Sequence, residues 1–113
     1  MPEILPNAEN AEIPIQKLRD YLLSPIHPVG RFKAAYFRSL GFTLENAADL
    51  ITALRQIAES NEAIAADRSK YGQKYVVRGS IRGPSGGISR IETVWIVLNS
   101  ASHPRFITAY PGE

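Results

Sequence analysis

The sequence of 113 residues contains no cysteine, one methionine and one tryptophan. Without cysteine the chain has no disulfide framework, no thiolate ligand for zinc and no cysteine nucleophile. Its two histidines, His27 and His103, lack the short helical spacing of a metal motif, so we expect neither a metal site nor another cofactor. No apolar run approaches membrane-spanning length, and no signal segment opens the chain. We therefore expect a cytoplasmic protein with no membrane partner.

Acidic residues are missing from two stretches, although the net charge is only +2. Residues 24–42 hold three cations and no acid, namely Arg31, Lys33 and Arg38. Residues 68–91 hold six cations and again no acid, namely Arg68, Lys70, Lys74, Arg78, Arg82 and Arg90. Segregated positive charge can attract polyanions even when the total charge is near zero.

Hydrophobic spacing predicts helices in the first half of the chain. Residues 1–13 carry two prolines and are predicted to form an extended N-terminal arm, and residues 14–60 are predicted to be the helical part. Pro14 is expected to open the first helix, Gly41 to end the second, and Thr43 to cap the third. Residues 61–70 fit either a continued helix or a loop.

The hydrophobic period changes from 3.6 to 2 after Tyr71, and residues 73–111 are predicted to form an antiparallel sheet of at least three strands. In the last strand, Phe106, Thr108 and Tyr110 are expected on one side. The predicted fold class is α+β, with three N-terminal helices packed on the C-terminal sheet. The length suits a single domain over residues 1–113.

Short sequence blocks along nearly the whole chain resemble a bacterial family. They are LPNA, IP, KL, YLLS, HPVGRFKAAYF, LGF, YGQKYVVRG, GPSG, TVWIV and PRFITAYP. This joint pattern resembles the family catalogued as domain of unknown function six-eight-eight-three. The resemblance implies a small standalone protein or a C-terminal module of toxin-like and phage-associated chains, with a small antitoxin or immunity protein as partner. More distantly, the chain resembles the barnase–EndoU–colicin–RelE group of metal-independent ribonuclease toxins.

Four residues are candidates for catalysis under this resemblance. Metal-independent RNA cleavage needs a base for the 2′-hydroxyl and an acid for the leaving oxygen, and His27 suits either role because histidine titrates near neutral pH. Lys33 and Arg78 are expected to stabilise charge on the scissile phosphate, assisted by Thr108. The alternatives are that His27 only caps a helix and that Lys33 extends from the edge of the core.

Four more residues are candidates for substrate binding, namely Arg31, Lys74, Arg82 and Tyr110. Lys74 and Arg82 alternate with Arg78 on one strand face, where a nucleic-acid backbone would neutralise them. A solvated sheet face explains the same spacing without function. Tyr110 could stack a base or close the core.

The sequence thus predicts a metal-independent, toxin-like endoribonuclease domain that acts on RNA phosphodiesters. The alternative is a non-catalytic protein-binding module of a toxin–antitoxin or phage-associated system, whose basic sheet face or helix pair docks an acidic partner. Convergence of His27, Arg78 and Thr108 in one cleft favours the enzyme, and a flat face with His27 elsewhere favours the binding module.

Overall fold

Helices precede strands along the chain, as the change of hydrophobic period predicts. The computed structural model describes residues 3–23 and 30–112, without the side chains of residues 21, 22 and 30–33. The helices are α1, which joins an α-helical turn at Ile15–Lys17 to a π-helical turn at Leu18–Leu22, α2 at Gly30–Ser39 and α3 at Ala47–Ser60. The strands are β1 at Ala63–Arg68, β2 at Gly72–Arg82, β3 at Ile88–Leu98 and β4 at Arg105–Pro111. The fold class is therefore α+β, as predicted.

Local chemistry sets the ends of the longer helices. Gly41 follows α2 with a φ of 98°, the left-handed conformation expected of it. Thr43 then forms a capping box with Asn46, whose side-chain oxygen accepts the Thr43 backbone N–H at 2.7 Å. A short 3-10 turn at Leu44–Asn46 leads directly into α3.

The four strands form one antiparallel sheet in the order β1-β2-β3-β4, so each strand pairs with its neighbour along the chain. Strand β1 lies in the segment for which the sequence left helix and loop open. Its alanines have low strand propensity, and it is held in place by pairing of Ala63 with Val77 and of Ala65 with Tyr75.

The helices and residues 3–13 cover one face of the sheet. The largest fully buried side chains include Trp95, Phe106, Phe37 and Phe42. Thr93 is also buried, where its hydroxyl donates to the Val77 carbonyl and accepts the Trp95 indole N–H, each at 2.8 Å. Trp95 is therefore a core residue.

Residues 3–13 pack against the body of the protein more closely than an extended arm would. They contain a 3-10 turn at Ala8–Asn10, and they bury Leu5, Ala8, Ala11 and Ile13 in the core. The Glu3 carbonyl accepts the Ala63 N–H at 2.7 Å, and the Glu12 carbonyl accepts the Phe106 N–H at 2.8 Å. The segment thus bonds to both β1 and β4.

Strand β4 does not place Phe106, Thr108 and Tyr110 on one side, and that prediction is wrong. The register shifts between Val94 and Trp95, whose partners are Thr108 and Phe106, so Ile107 is an extra residue in β4. Such a bulge reverses the alternation of side chains. Phe106 therefore points into the core, whereas Thr108 and Tyr110 lie on the opposite face.

Candidate functional site

The face of the sheet turned away from the helices, called the open face below, carries charged and polar side chains together with several apolar ones. The register places on it alternate side chains of β2 and β3, one of β1 and two of β4. They are Ile64, Lys74, Val76, Arg78, Ser80, Arg82, Ile88, Arg90, Glu92, Val94, Ile96, Leu98, Thr108 and Tyr110. No helix covers this face within the part of the chain that the structure describes.

One row across the open face brings three functional groups together. Arg78 of β2 pairs with Glu92 of β3, and Glu92 pairs with Tyr110 of β4. The Arg78 Nε donates to the Glu92 Oε1, and the Tyr110 hydroxyl donates to the same carboxylate. The Arg78 side chain is 56% exposed and that of Glu92 only 15%. The guanidinium is therefore accessible to a ligand, while the carboxylate is largely enclosed.

Hydrogen bonding shifts the pKa values of two members of this row. The Tyr110 hydroxyl, and after it the Arg78 guanidinium, lower the pKa of Glu92, which therefore stays ionised at neutral pH. The same hydrogen bond raises the pKa of Tyr110, with burial adding to the effect, so the phenol stays protonated. The row thus offers a cation, an anionic acceptor and a neutral donor.

A pocket of about 450 Å³ opens over this row. It is lined by Arg78, Glu92, Tyr110, Pro111 and Gly112. The volume lies within the range of small-ligand pockets. Arg78 and Glu92 bring charge to the lining and Tyr110 brings a hydroxyl, which suits a charged group of a substrate.

Thr108 lies in the next row, beside Val94, Val76 and Ile64. Thr108 and Tyr110 are two positions apart along β4 and lie on the same face, a distance of about 7 Å. The structure therefore brings Arg78, Thr108 and Tyr110 into one region of the open face.

Lys74 and Arg82 are not part of this cluster. Each lies four residues from Arg78 along β2, about 13 Å away in opposite directions. Lys74 faces Ile96, and Arg82 faces Ile88 at the far end of the strand. Both side chains lie on the predicted face, where they could contact only more distant parts of a long ligand.

The remaining candidates, His27, Arg31 and Lys33, lie in the first half of the sequence. His27 lies outside the described residues, so its position relative to Arg78 and Thr108 stays a prediction. Arg31 and Lys33 lie on α2, whose backbone is described there without their side chains. Their catalytic and binding roles also stay predictions.

Glu92 is the functional residue that the sequence reasoning missed. The acid-free stretch of cations ends at Ile91, one residue before Glu92. Antiparallel pairing then places this carboxylate directly opposite Arg78. The argument that the β2 cations need an external anion therefore fails for Arg78, which a carboxylate of the chain neutralises.

Comparison with known proteins identifies the family. The profile of a family described as Domain of unknown function (DUF6883) matches residues 4–113. The chain belongs to this family. This confirms the resemblance seen in the sequence blocks, while the more distant resemblance of this DUF6883 domain to ribonuclease toxins stays a prediction. No curated protein gives a significant match.

A solved structure shares the fold of this DUF6883 domain. It is a chain of the contact-dependent growth inhibition toxin–immunity protein complex from Klebsiella pneumoniae 342, with a TM-score of 0.71 and 23% sequence identity. The match covers 94% of this chain and 97% of the other. At this identity the likeness shows the fold alone. Within the described residues, none of the helices is long and apolar enough to cross a membrane.

Proposed function

We propose that this DUF6883 domain is a toxin-like endoribonuclease that cleaves RNA without a metal, and that the open face of its sheet binds the substrate. The row of Arg78, Glu92 and Tyr110 carries this proposal, because a cation, an ionised carboxylate and a protonated phenol meet in one pocket. The fold shared with a chain of a toxin–immunity protein complex supports the toxin-like part.

Arg78 is suited to hold the scissile phosphate. It donates to Glu92 through Nε, and its two terminal nitrogens belong to a side chain that is 56% exposed. These nitrogens can therefore bind phosphate oxygens in the forked geometry typical of arginine. The hydroxyls of Thr108 and Tyr110 lie in the same region of the open face.

Glu92 is proposed as the base. Its carboxylate takes the proton of the 2′-hydroxyl, the 2′-oxygen forms a bond to phosphorus, and the bond from phosphorus to the 5′-oxygen breaks. His27 is proposed as the acid that protonates the departing 5′-oxygen. The products are a 2′,3′-cyclic phosphate and a 5′-hydroxyl end.

Substrate binding would also strengthen Glu92 as a base. The carboxylate is a poor base while Arg78 and Tyr110 both stabilise its anion, because these contacts lower its pKa. A bound phosphate draws the positive charge of Arg78 towards itself and adds negative charge nearby. Both changes raise the pKa of Glu92 towards the range of a useful base.

The test is cleavage of labelled single-stranded RNA by purified protein in a chelator. We expect the wild type to release 2′,3′-cyclic phosphate ends. Replacement of either proton-transfer group, by Glu92→Gln or His27→Ala, is expected to lower kcat by about 10²- to 10⁴-fold. Arg78→Ala should lower kcat/KM because it removes the phosphate ligand.

Glu59→Gln is the matched control for Glu92→Gln, since Glu59 is exposed on α3, in the layer on the other side of the sheet. It should cleave RNA like the wild type. Equal cleavage by wild type and Glu92→Gln would contradict the role of Glu92. Intact RNA after incubation with the folded wild type would contradict ribonuclease activity itself.

A second candidate function is a non-catalytic protein-binding module of a toxin–antitoxin or phage-associated system. It is favoured by an apolar strip on the open face, in which Ile64 is 47% exposed and Val76 and Val94 are partly buried. Lys74 and Arg78 flank this strip along β2, so an acidic partner with an apolar centre would fit it. Intact RNA combined with loss of partner binding in Val76→Asp would support this function.

A further inference from the structure

An exposed tyrosine lies beside a lysine in the turn of the β1–β2 hairpin, residues 69–71, called the tip below. Tyr71 is 64% exposed, the largest exposure among the large hydrophobic side chains described. The Lys70 Nζ lies 5.2 Å from the centroid of its ring, in cation–π contact. Sites for single-stranded nucleic acid combine such aromatic rings, on which bases stack, with nearby cations.

Hydrogen bonds fix the backbone of this tip. The Ser69 N–H donates to the Gly72 carbonyl at 3.0 Å, and the Tyr71 N–H donates to the Ser69 hydroxyl at 3.1 Å. Asn99, which follows β3, donates its backbone N–H to the Tyr71 carbonyl at 2.8 Å and its side-chain amide to the Lys70 carbonyl at 2.7 Å. The platform is therefore preorganised, which lowers the entropy lost when a ligand binds.

The tip also carries uncompensated positive charge. Arg68 precedes it, Lys70 lies on it, and Lys74 follows it on β2. Among the described residues, no carboxylate lies within ion-pair distance of these three side chains. Asp67 of β1 is the nearest acid along the chain. Phosphate groups on either side of a stacked base would supply the missing negative charge.

We propose that Tyr71 stacks a base of single-stranded RNA while Lys70 and Arg68 bind the neighbouring phosphates. The tip is then a second RNA contact, distinct from the pocket of Arg78, Glu92 and Tyr110. The inference rests on the proposed function for its choice of RNA as ligand. The apolar strip of the open face, rather than this tip, suits a protein partner.

The tip and the pocket can be occupied by one RNA strand. Tyr71 directly precedes β2, and Arg78 is seven residues further along the chain, a distance of about 23 Å in an extended strand. Lys74 lies between them on the open face and would contact the intervening backbone. RNA of several nucleotides would reach both places, whereas a dinucleotide would reach only the pocket. The tip should therefore determine the affinity for longer RNA and leave the chemical step unchanged.

The first test measures binding of a fluorescent 2′-O-methyl oligonucleotide, which cannot undergo attack by a 2′-hydroxyl. We expect Tyr71→Ala to weaken binding by about tenfold, since loss of one stacked base has an effect of this order. Tyr71→Phe should bind like the wild type because it keeps the ring. Lys70→Ala should weaken binding. It should also make the slope of the logarithm of the binding constant against the logarithm of the salt concentration shallower by about one unit.

Ile15→Ala is the control, because Ile15 is 46% exposed on α1, far from the tip in sequence. In cleavage assays, Tyr71→Ala should raise KM for the longer RNA, with kcat and dinucleotide cleavage unchanged. Wild-type affinity in Tyr71→Ala, or equal loss in Tyr71→Phe, would overturn the inference.

The outcome separates the two proposals. If RNA binding depends on Tyr71 but the wild type cleaves no RNA, the hairpin tip is an RNA contact and the domain is not a ribonuclease. If cleavage depends on Glu92 and Tyr71→Ala has no effect on binding or cleavage, the domain is a ribonuclease and the hairpin tip is not an RNA contact. A folded wild type that binds no RNA would overturn both.

Discussion

At the scale of single residues, Glu92 and Tyr110 have opposite pKa shifts that arise from one shared hydrogen bond. The pKa of Glu92 is lowered from 4.5, so its contribution to stability is complete above that pH and is lost as the pH falls through the lower folded value. The pKa of Tyr110 is raised from 10.0, so its contribution is complete below that pH and is lost as the pH rises through the higher folded value.

Glu92→Gln should therefore destabilise the protein most at intermediate pH. We expect a loss of about 0.2–1 kcal/mol near neutral pH, the range for an opposite-charge pair across two strands. The difference from the wild type should shrink below pH 4.5. Urea unfolding at a series of pH values measures it, with Glu59→Gln as the control. Spectrophotometric titration should show one tyrosine whose pKa falls in Glu92→Gln, and an unchanged titration would contradict the shared hydrogen bond.

The face on which a strand side chain lies was predictable from the alternation of residues along that strand. The placement of Lys74, Arg78 and Arg82 on one face of β2 followed from the hydrophobic period of 2. The partner of Arg78 could not be read in this way, because Glu92 is 14 residues away and becomes a neighbour only through strand register.

At the scale of elements, the β2–β3 loop packs against the end of α2 and forms a hydrogen bond with it. The Ser85 N–H donates to the Leu40 carbonyl at 3.2 Å. A Cβ added at Gly83 would collide with the same carbonyl oxygen, whereas one added at Gly87 would come no closer than 3.5 Å to the Leu40 side chain. The close contact between the loop and the end of α2 therefore requires glycine at position 83. It leaves room for a larger residue at position 87.

These two glycines make a matched pair. Gly83→Ala should lower the free energy of unfolding by about 1–3 kcal/mol, the usual range for overpacking. Gly87→Ala should stay within about 0.5 kcal/mol of the wild type. Urea unfolding followed by fluorescence of the single, buried Trp95 distinguishes them. Equal stability of the two variants would show that the loop does not need its close approach to Leu40.

Helices and strands were predictable where their own residues show a clear hydrophobic period or a strong strand propensity. Helix α3 and strands β2 to β4 have clear periodicity, and they lie close to their expected places. Strand β1 was missed because its alanines carry little strand propensity and its pairing partner lies on β2. The bulge at Ile107 was missed because no glycine or other local signal marks it, and it reversed the side on which Thr108 and Tyr110 lie.

At the scale of the whole molecule, residues 3–13 connect the two edges of the sheet. Glu3 bonds to the start of β1, Glu12 bonds to β4, and Leu5 between them is buried in the common core. Because the same segment contacts both edges, loosening it should affect the entire domain. We therefore expect unfolding in one transition, reported equally by Trp95 fluorescence and by far-ultraviolet circular dichroism.

Leu5 and its neighbour Ile4 test this expectation. Leu5 is 2% exposed and Ile4 is 41% exposed. Leu5→Ala should cost about 2–5 kcal/mol, the range for truncating a buried leucine, and Ile4→Ala should cost less than about 0.5 kcal/mol. The first loss is a large fraction of the roughly 5–15 kcal/mol that stabilises a domain. A small effect of Leu5→Ala on unfolding, with the sheet as stable as in Ile4→Ala, would mean that residues 3–13 are an appendage rather than part of the cooperative core.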